Sequence, residues 1–357
     1  MSRAAHFSGT KPVSDKHAFD VARLEDWLAT RVADFRPPLT VEQFKGGQSN
    51  PTYKLIDATG RAFVLRRKPP GKLVKSAHAV DREYRVITAL AETDVPVART
   101  YGLCTDESVI GTWFYVMDCV AGRIFWDACP EEVSNAERAA LFDAMNDTIA
   151  KLHSVDYRAI GLEDYGKPGN YFARQIARWS KQYLEDEDAG RFEAMDRLVA
   201  WLPENIPAGD ETSIVHGDFR IDNLIFHDSE PRILAILDWE LSTLGHPLAD
   251  FAYHCLMYRM PPQGFTGLLG VDLPAKAIPS EQDYRAAYCR RTGRPPISDA
   301  EFDFYIAFNM FRLAGILHGI LGRVTRGTAA SAHAAAQGAM AEPLAKLAWS
   351  QVERLSR

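Results

Sequence analysis

The chain has 357 residues, 46% of them apolar and 25% charged, with a net charge of -6 and a pI near 6.0. That size and composition suit a globular protein with a substantial core, and the mildly acidic balance excludes the overall basic field of nucleic-acid binding proteins, so no nucleic-acid partner is expected. The five cysteines, Cys104, Cys119, Cys129, Cys255 and Cys289, form an odd set without a C-x-x-C pair, which argues against a zinc or redox motif and for a reducing, cytoplasmic setting.

Residues 1–16 are polar and aperiodic, read as a loosely held arm with no apolar leader. Over residues 17–35 the positions Phe19, Val21, Leu24, Trp27, Leu28, Val32 and Phe35 recur at helical spacing until Pro37-Pro38 stops the pattern, which predicts one amphipathic helix. Three strands are predicted next, at 39–44, 52–56 and 61–66. The turn between the first two runs Lys45-Gly46-Gly47-Gln48-Ser49-Asn50-Pro51. A Gly-Gly turn lets backbone N–H groups approach a phosphate closely, and Ser49 and Asn50 can add side-chain hydrogen bonds; the same pair also suits an ordinary hairpin. The third strand ends at Arg66, with Arg67 and Lys68 read as solvated. Residues 76–91 are predicted helical, Val80, Tyr84, Ile87 and Leu90 sharing one side and Glu83 left to face a cleft. An aromatic-rich buried strand is expected over 111–120, running into Ala121-Gly122, and a helix over 135–153. Residues 161–167 satisfy G-x-x-x-x-G-K, but Pro168 stands where a Ser or Thr hydroxyl must be, and no strand-to-helix context surrounds it, so a Walker A loop is excluded. A helix over 171–184 sets Arg174 and Arg178 one turn apart, a repulsion of roughly 0.2 to 0.5 kcal/mol that invites an anion or is relieved by solvent or by the acidic run at 185–188.

Residues 214–240 carry the densest chemistry. A short apolar strand leads into a polar loop holding His216, Gly217, Asp218, Arg220 and Asn223; two apolar strands, 224–226 and 233–237, then return the chain to Asp238-Trp239-Glu240. Asn223 precedes the outgoing strand and Asp238 follows the returning one, so both are expected at one end of a hairpin, beside Asp218. Three convergent oxygen-bearing groups suit magnesium-dependent phosphoryl transfer. Asp250 follows in Gly245-His246-Pro247-Leu248-Ala249-Asp250. The remainder is predicted as helices over 281–292, 300–324 and 331–355; the longest apolar stretch, 313–321, is broken by His318 and shorter than a bilayer span, so no membrane partner is expected.

His216, Asp218 and Asn223 match the kinase catalytic loop H-R-D-L-x-x-x-N with Gly217 in place of Arg, and Asp238 stands where the Asp of D-F-G stands. With these residues the chain resembles the aminoglycoside phosphotransferase family, and Gly47-Gln48-Ser49-Asn50-Pro51, Val64-Leu65-Arg66-Arg67-Lys68-Pro69-Pro70-Gly71 and His216 to Asn223 are most similar to the kinase-like domain fused to acyl-CoA dehydrogenases. The resemblance implies an α+β, protein-kinase-like two-lobe fold: a small N-lobe of antiparallel sheet plus a helix over 37–121, after an arm and helix in 1–36, and a larger, mainly helical C-lobe over 122–357. It implies ATP and Mg2+ as cofactors. Gly46, Gly47, Gln48, Ser49 and Asn50 would meet the phosphates, and Arg66 would take the place of the kinase lysine, paired with Glu83. Met117, Asp118, Cys119 and Val120 would form the hinge that binds the base through main chain. Asn223 and Asp238 would hold the metal. Asp218 would accept the proton of the acceptor hydroxyl, Arg220 would steady the phosphoryl group, and Asp250 would orient the loop.

The expected function is transfer of a γ-phosphate to a small-molecule hydroxyl, with a hydroxyacyl-CoA or another anionic metabolite as acceptor. Two alternatives stand beside it: a kinase-like module that binds nucleotide without transferring phosphate, for which Arg66 in place of Lys speaks, and an aminoglycoside-modifying kinase. Against a polycationic acceptor, residues 167–181 hold Lys167, Arg174, Arg178 and Lys181 with no acid, and residues 255–298 hold six Arg and Lys against three Asp and Glu. No pattern in the chain fixes an oligomeric state.

Overall fold

The computed structural model describes residues 8–45, 50–69, 78–329 and 333–355. The chain folds into two compact units, the first made of Met1–Thr148, Asp156–Tyr165 and Arg220–Ser242, the second of Ile149–Val155, Gly166–Phe219 and Thr243–Arg357. The first unit therefore takes in more than an N-terminal segment ending at 121, because the hairpin carrying Asn223 and Asp238 belongs to it.

The first unit is built on a six-stranded sheet. Strands β1 (Thr10–Lys11), β2 (Thr40–Phe44), β3 (Thr52–Ile56), β4 (Ala62–Arg67), β5 (Thr100–Cys104) and β6 (Phe114–Asp118) lie in the order β1-β2-β3-β4-β6-β5, every neighbouring pair antiparallel. Strand parity sorts the side chains. Tyr53, Leu55, Phe63, Leu65, Phe114 and Val116 form one core with Leu24 and Leu28 of helix α1 (Val21–Ala29). Thr52, Val64, Arg66, Tyr115 and Met117 face the other way and line a cavity, as does Ile87 of helix α2 (Val80–Leu90). This parity separates two adjacent arginines. Arg67 is not solvated as expected: it lies on the α1 side, 2% exposed, its guanidinium 5.2 and 5.4 Å from the Phe19 and Tyr53 rings.

Several predicted bounds shift. α1 starts at Val21 rather than 17, because the Asp20 carboxylate accepts from Arg23 N–H at 3.1 Å and caps it there. Thr10–Lys11, expected as loose arm, pairs with β2. The next helix begins at Val80 rather than 76, with Ala79 at its N-cap; residues 76 and 77 of its predicted first turn lie outside the described residues. Helix α3 (Asn135–Ser154) contributes its residues through Thr148 to the first unit and the rest to the second. The hairpin of Leu224–Phe226 and Ile233–Ile236 completes the first unit.

The second unit is mainly helical: α4 (Tyr171–Glu185), α5 (Glu193–Glu204), α6 (Pro247–Arg259), α7 (Glu281–Thr292), α8 (Asp299–Thr325) and α9 (Ala341–Leu355), with one antiparallel pair, Ser213–Val215 against Thr243–Gly245. Helix α8 carries a full capping box, Ser298 and Glu301 serving each other's backbone, and it extends on both sides of the apolar stretch singled out in the sequence. By length and composition it matches a bilayer span, yet 72% of its most apolar window is buried inside the fold, as in a core helix. The helix predicted over 331–355 is instead Ala334–Ala339 and α9, broken at Met340.

Candidate active site

The cavity of the first unit encloses about 520 Å³. Its walls include Arg66 of β4, Tyr115 and the run Met117 to Val120 at the end of β6, and Asp222, Asn223, Asp238 and Trp239 from the hairpin. Register explains the last group. Leu224 pairs with Ile236, and Leu237 N–H donates to Asn223 C=O at 2.8 Å, so Asn223 lies opposite Leu237 and one residue from Asp238. Asp238 adopts φ 63 and ψ 60, left-handed values that cost a non-glycine residue about 1 to 2 kcal/mol and that Asp tolerates better than most. Such strain at a carboxylate lining a cavity points to a functional role for its direction.

Arg66 is 9% exposed and reaches three carboxylates. Its Nε is 2.7 Å from Glu83 Oε2, an ion pair without hydrogen-bond alignment, while Nη2 donates to Asp238 Oδ1 at 2.7 Å and to Glu240 Oε2 at 3.3 Å. Glu83 is 2% exposed on the inner side of α2; its Oε1 accepts from Asn50 Nδ2 at 2.7 Å and its Oε2 from the Tyr115 hydroxyl at 3.1 Å. Burial pushes the Glu83 carboxyl up, with Arg66 pulling the other way. Burial also works against the Arg66 charge, but Glu83 first, and Asp238 and Glu240 after it, hold its pKa above the ordinary value.

The hinge candidates lie at and just past the end of β6, the strand that pairs with β4. Asp118 N–H donates to Arg99 C=O at 2.8 Å and Cys119 N–H to Ala62 C=O at 3.4 Å, which uses both groups within the sheet. Past the end of β6, Val120 borders the cavity, and its backbone N–H and C=O have no hydrogen-bond partner among the described residues. The chain then joins the hairpin: Arg123 and Phe226 exchange N–H to C=O bonds of 2.8 Å each way. Gly122 permits this approach, since a Cβ there would sit 2.3 Å from Phe226 O.

In the second unit the loop after Ser213–Val215 is fixed from several sides. Asp250, in the first turn of α6, accepts from His216 N–H at 2.7 Å and Gly217 N–H at 2.8 Å, and its Oδ2 is 3.2 Å from His153 Nε2. Burial tends to raise the Asp250 carboxyl, yet His153 and the His216 backbone hold it below the usual range, and burial keeps His153 neutral. A carboxylate only accepts, so Nε2 of His153 carries the proton and Nδ1 accepts from the Tyr288 hydroxyl at 2.7 Å. Gly217 has φ 83, a left-handed value that accounts for Gly where the kinase motif has Arg. Tyr253 O–H donates to Asp218 Oδ1 at 2.6 Å.

Of the residues singled out in the sequence, Arg66, Met117, Asp118, Cys119, Val120, Asn223 and Asp238 border one cavity, while Asn50 and Glu83 lie behind Arg66. Gly46, Gly47, Gln48 and Ser49 lie outside the described residues. Arg220, expected to steady a phosphoryl group, is clamped by both its Nε and Nη2 onto Asp222 two residues on. Asp218 is placed in the second unit. Sequence reasoning passed over Asp222, Glu240, Tyr115, His153, Tyr253 and Arg312; the i,i+2 spacing of Arg220 and Asp222 and the D-x-E of Asp238 and Glu240 were the available signals.

The sequence profile of the phosphotransferase enzyme family, APH, matches residues 40–296. Acyl-CoA dehydrogenase family member 10 of Mus musculus is 44% identical over 344 residues, 95% of this chain and 32% of the relative. Family member 11 of Homo sapiens is 39% identical over 339 residues, 94% of this chain and 43% of the relative. The chain thus spans less than half the length of these curated relatives. A crystal structure of an aminoglycoside phosphotransferase candidate from Ralstonia eutropha superposes with a TM-score of 0.87 at 54% identity, covering 94% of this chain and 99% of that one. Choline kinase from Cryptosporidium parvum shares the fold, with a TM-score of 0.65 at 11% identity over 94% of this chain and 96% of its own. The antiparallel sheet and the helical remainder are those of the kinase-like fold.

Proposed function

The chain belongs to the phosphotransferase enzyme family, and from that premise we propose that it transfers the γ-phosphoryl group of MgATP to a hydroxyl of a small molecule. The observation that carries the reading is the Arg66 guanidinium, held by Glu83 and bordering the same cavity as Asn223, Asp238 and the open Val120 backbone. In this reading the apolar wall and Val120 take the base, and Arg66 meets phosphate oxygens with its planar fork.

Among the described residues no group of three or more His, Cys, Asp or Glu is arranged to hold a metal. Two protein oxygens, from Asp238 and the Asn223 amide, leave the other positions to phosphate and water, which is the donor set magnesium prefers. Magnesium, when bound, offsets charge on the phosphates. Asp238 and Asn223 would hold the ion, and the Asp238 carboxylate that now accepts from Arg66 would have to turn to it.

Asp218 takes the acceptor's proton as the acceptor oxygen bonds phosphorus and the bond to ADP breaks. The acceptor carries an anionic handle. Support comes from the second unit, where burial raises the Tyr171 phenol, the charges of Arg312, Arg174 and Arg178 act against that rise, and Asp250 adds to it. The acyl-CoA dehydrogenase relatives make a hydroxyacyl-CoA the first acceptor to try. The five free cysteines support a reducing cytoplasm as its setting.

The test pairs calorimetry of MgATP binding with a nucleotide-consumption screen of hydroxylated metabolites that includes CoA esters and an aminoglycoside. Asp238→Ala is expected to lose the magnesium-dependent part of ATP affinity, and Asp218→Asn to keep affinity while losing about 10²- to 10⁴-fold in turnover. Unchanged MgATP affinity in Asp238→Ala, or wild-type turnover in Asp218→Asn, would refute the assignment.

A further inference from the structure

Helix α6 meets the loop at 216–219 with three residues that follow its 3.6-residue period. Asp250 takes the N–H groups of His216 and Gly217, Tyr253 one turn later donates to the Asp218 carboxylate, and the His254 ring stands edge-on to the Phe219 ring with centroids 5.1 Å apart. The Asp250 contacts are to main chain and shape the loop. The Tyr253 contact is a hydrogen bond to a side chain, and to the one assigned to the acceptor proton.

Tyr253 is itself held. The guanidinium of Arg312, from α8, lies 5.4 Å from the centre of its ring, and the same Arg312 donates through Nη2 to Gly217 C=O at 3.1 Å. Arg312 is 9% exposed, so this cation acts in a setting of low polarisability, where its attraction for the ring face is larger than at the surface. His254 is braced in turn by the Tyr284 hydroxyl at 2.7 Å. The tyrosine thus stands in a fixed place, and its hydroxyl fixes one oxygen of the Asp218 carboxylate.

We infer that Tyr253 is a positioning residue for phosphoryl transfer, its hydroxyl locking the Asp218 carboxylate in the orientation that receives the acceptor's proton, with Arg312 holding the ring in place. The inference rests on the reading of Asp218 given above. Orientation of a base is worth up to about 10²-fold, and a hydrogen bond to a charged group accounts for a factor of about 10 to 100.

The experiment uses the full chain, with MgATP as substrate and water as acceptor, read as release of inorganic phosphate in wild type, Tyr253→Phe, Asp218→Asn and the double variant. Tyr253→Phe keeps the ring and removes one oxygen. It is expected to lower kcat about 10- to 100-fold with KM for ATP unchanged and the melting temperature within about two degrees of wild type. Tyr253→His, which retains a donor, should regain part of that loss. In the Asp218→Asn background the same Tyr253→Phe change should cost nothing further, because its effect passes through Asp218. Wild-type kcat in Tyr253→Phe overturns the inference, as does an equal loss in both backgrounds, since a purely structural tyrosine would behave that way. Wild-type phosphate release by Asp218→Asn would remove the reading beneath it, and is a different result from either.

Discussion

Replacing Arg66 by Ala tests the centre of the first unit, and the size and pH dependence of the effect follow from what is left behind. Glu83, 2% exposed, loses its ion pair and keeps the Asn50 amide at 2.7 Å and the Tyr115 hydroxyl at 3.1 Å. Removing one partner of a buried pair costs about 3 to 5 kcal/mol. The Asp238 and Glu240 contacts add little, on the order of 1 kcal/mol or less, because those side chains are 36% and 28% exposed and solvent screens them. Glu83 is already pushed up by burial, and without Arg66 it rises further. A carboxyl raised in the folded state binds a proton that the unfolded chain, titrating near 4.3, has released; its stabilising effect is complete below that pH and fades as pH climbs through the folded value. The penalty for Arg66→Ala is therefore smallest near pH 5 and grows toward pH 8 by up to about 1.4 kcal/mol per unit. Urea unfolding of wild type and variant at pH 5, 6, 7 and 8 measures this directly. Arg66→Lys should recover most of it, an ammonium being able to sit on Glu83 but not to fork to Asp238 as well, and adding Glu83→Gln to Arg66→Ala should flatten the slope. A loss below about 1 kcal/mol at pH 8, or one independent of pH, would show that Arg66 and Glu83 are not coupled as the geometry requires.

Gly122→Ala should destabilise the first unit by about 3 kcal/mol and weaken ATP binding, since a Cβ 2.3 Å from Phe226 O forces apart the bonded bridge at Arg123; wild-type urea midpoint and affinity would refute that close approach. In the second unit, burial holds His246 and His254 at about 4. The unfolded chain takes up protons near 6.5 that these folded residues refuse, so stability should fall as pH drops from about 6.5 toward 4, by about 1.4 kcal/mol per unit for each histidine; circular dichroism melts with equal midpoints at pH 7 and pH 5 would contradict it.

What could be read in the sequence was what repeats at short range. Strand 52–56 alternates, the hairpin returns to its start, and the register of Leu224 on Ile236 brings Asn223 and Asp238 to one end, as their positions at the hairpin's ends required. The same alternation contained the difference between Arg66 and Arg67, since consecutive strand residues point to opposite faces and only one could meet Glu83; reading Arg67 as solvated overlooked a sheet covered on both faces. The Asp20 cap was likewise present in the sequence, as an Asp just before an apolar period. The braces on the catalytic loop were not readable. His153 meets Asp250 across 97 residues and Arg312 meets Gly217 across 95, and no local spacing encodes either contact.

The charge argument for the acceptor shows the same limit and changes what carries it. Counted along the sequence, residues 255–298 have an excess of base, but folding supplies acids from outside that window. Arg259 pairs with Glu281 and with Asp303 at 3.1 Å, Arg285 pairs with Asp299, and Arg294 lies 2.8 Å from Glu211. Three of the six bases are thus neutralised locally, and the segment no longer argues for a positive field. Arg174 is spent in part too, donating to Lys167 C=O at 2.6 Å, a neutral acceptor that leaves its charge intact. What remains of the electrostatic case for an anionic acceptor is Arg174, Arg178 and Arg312, from α4 and α8, whose charges act on the Tyr171 phenol against burial and Asp250, a set that no window of consecutive residues contains.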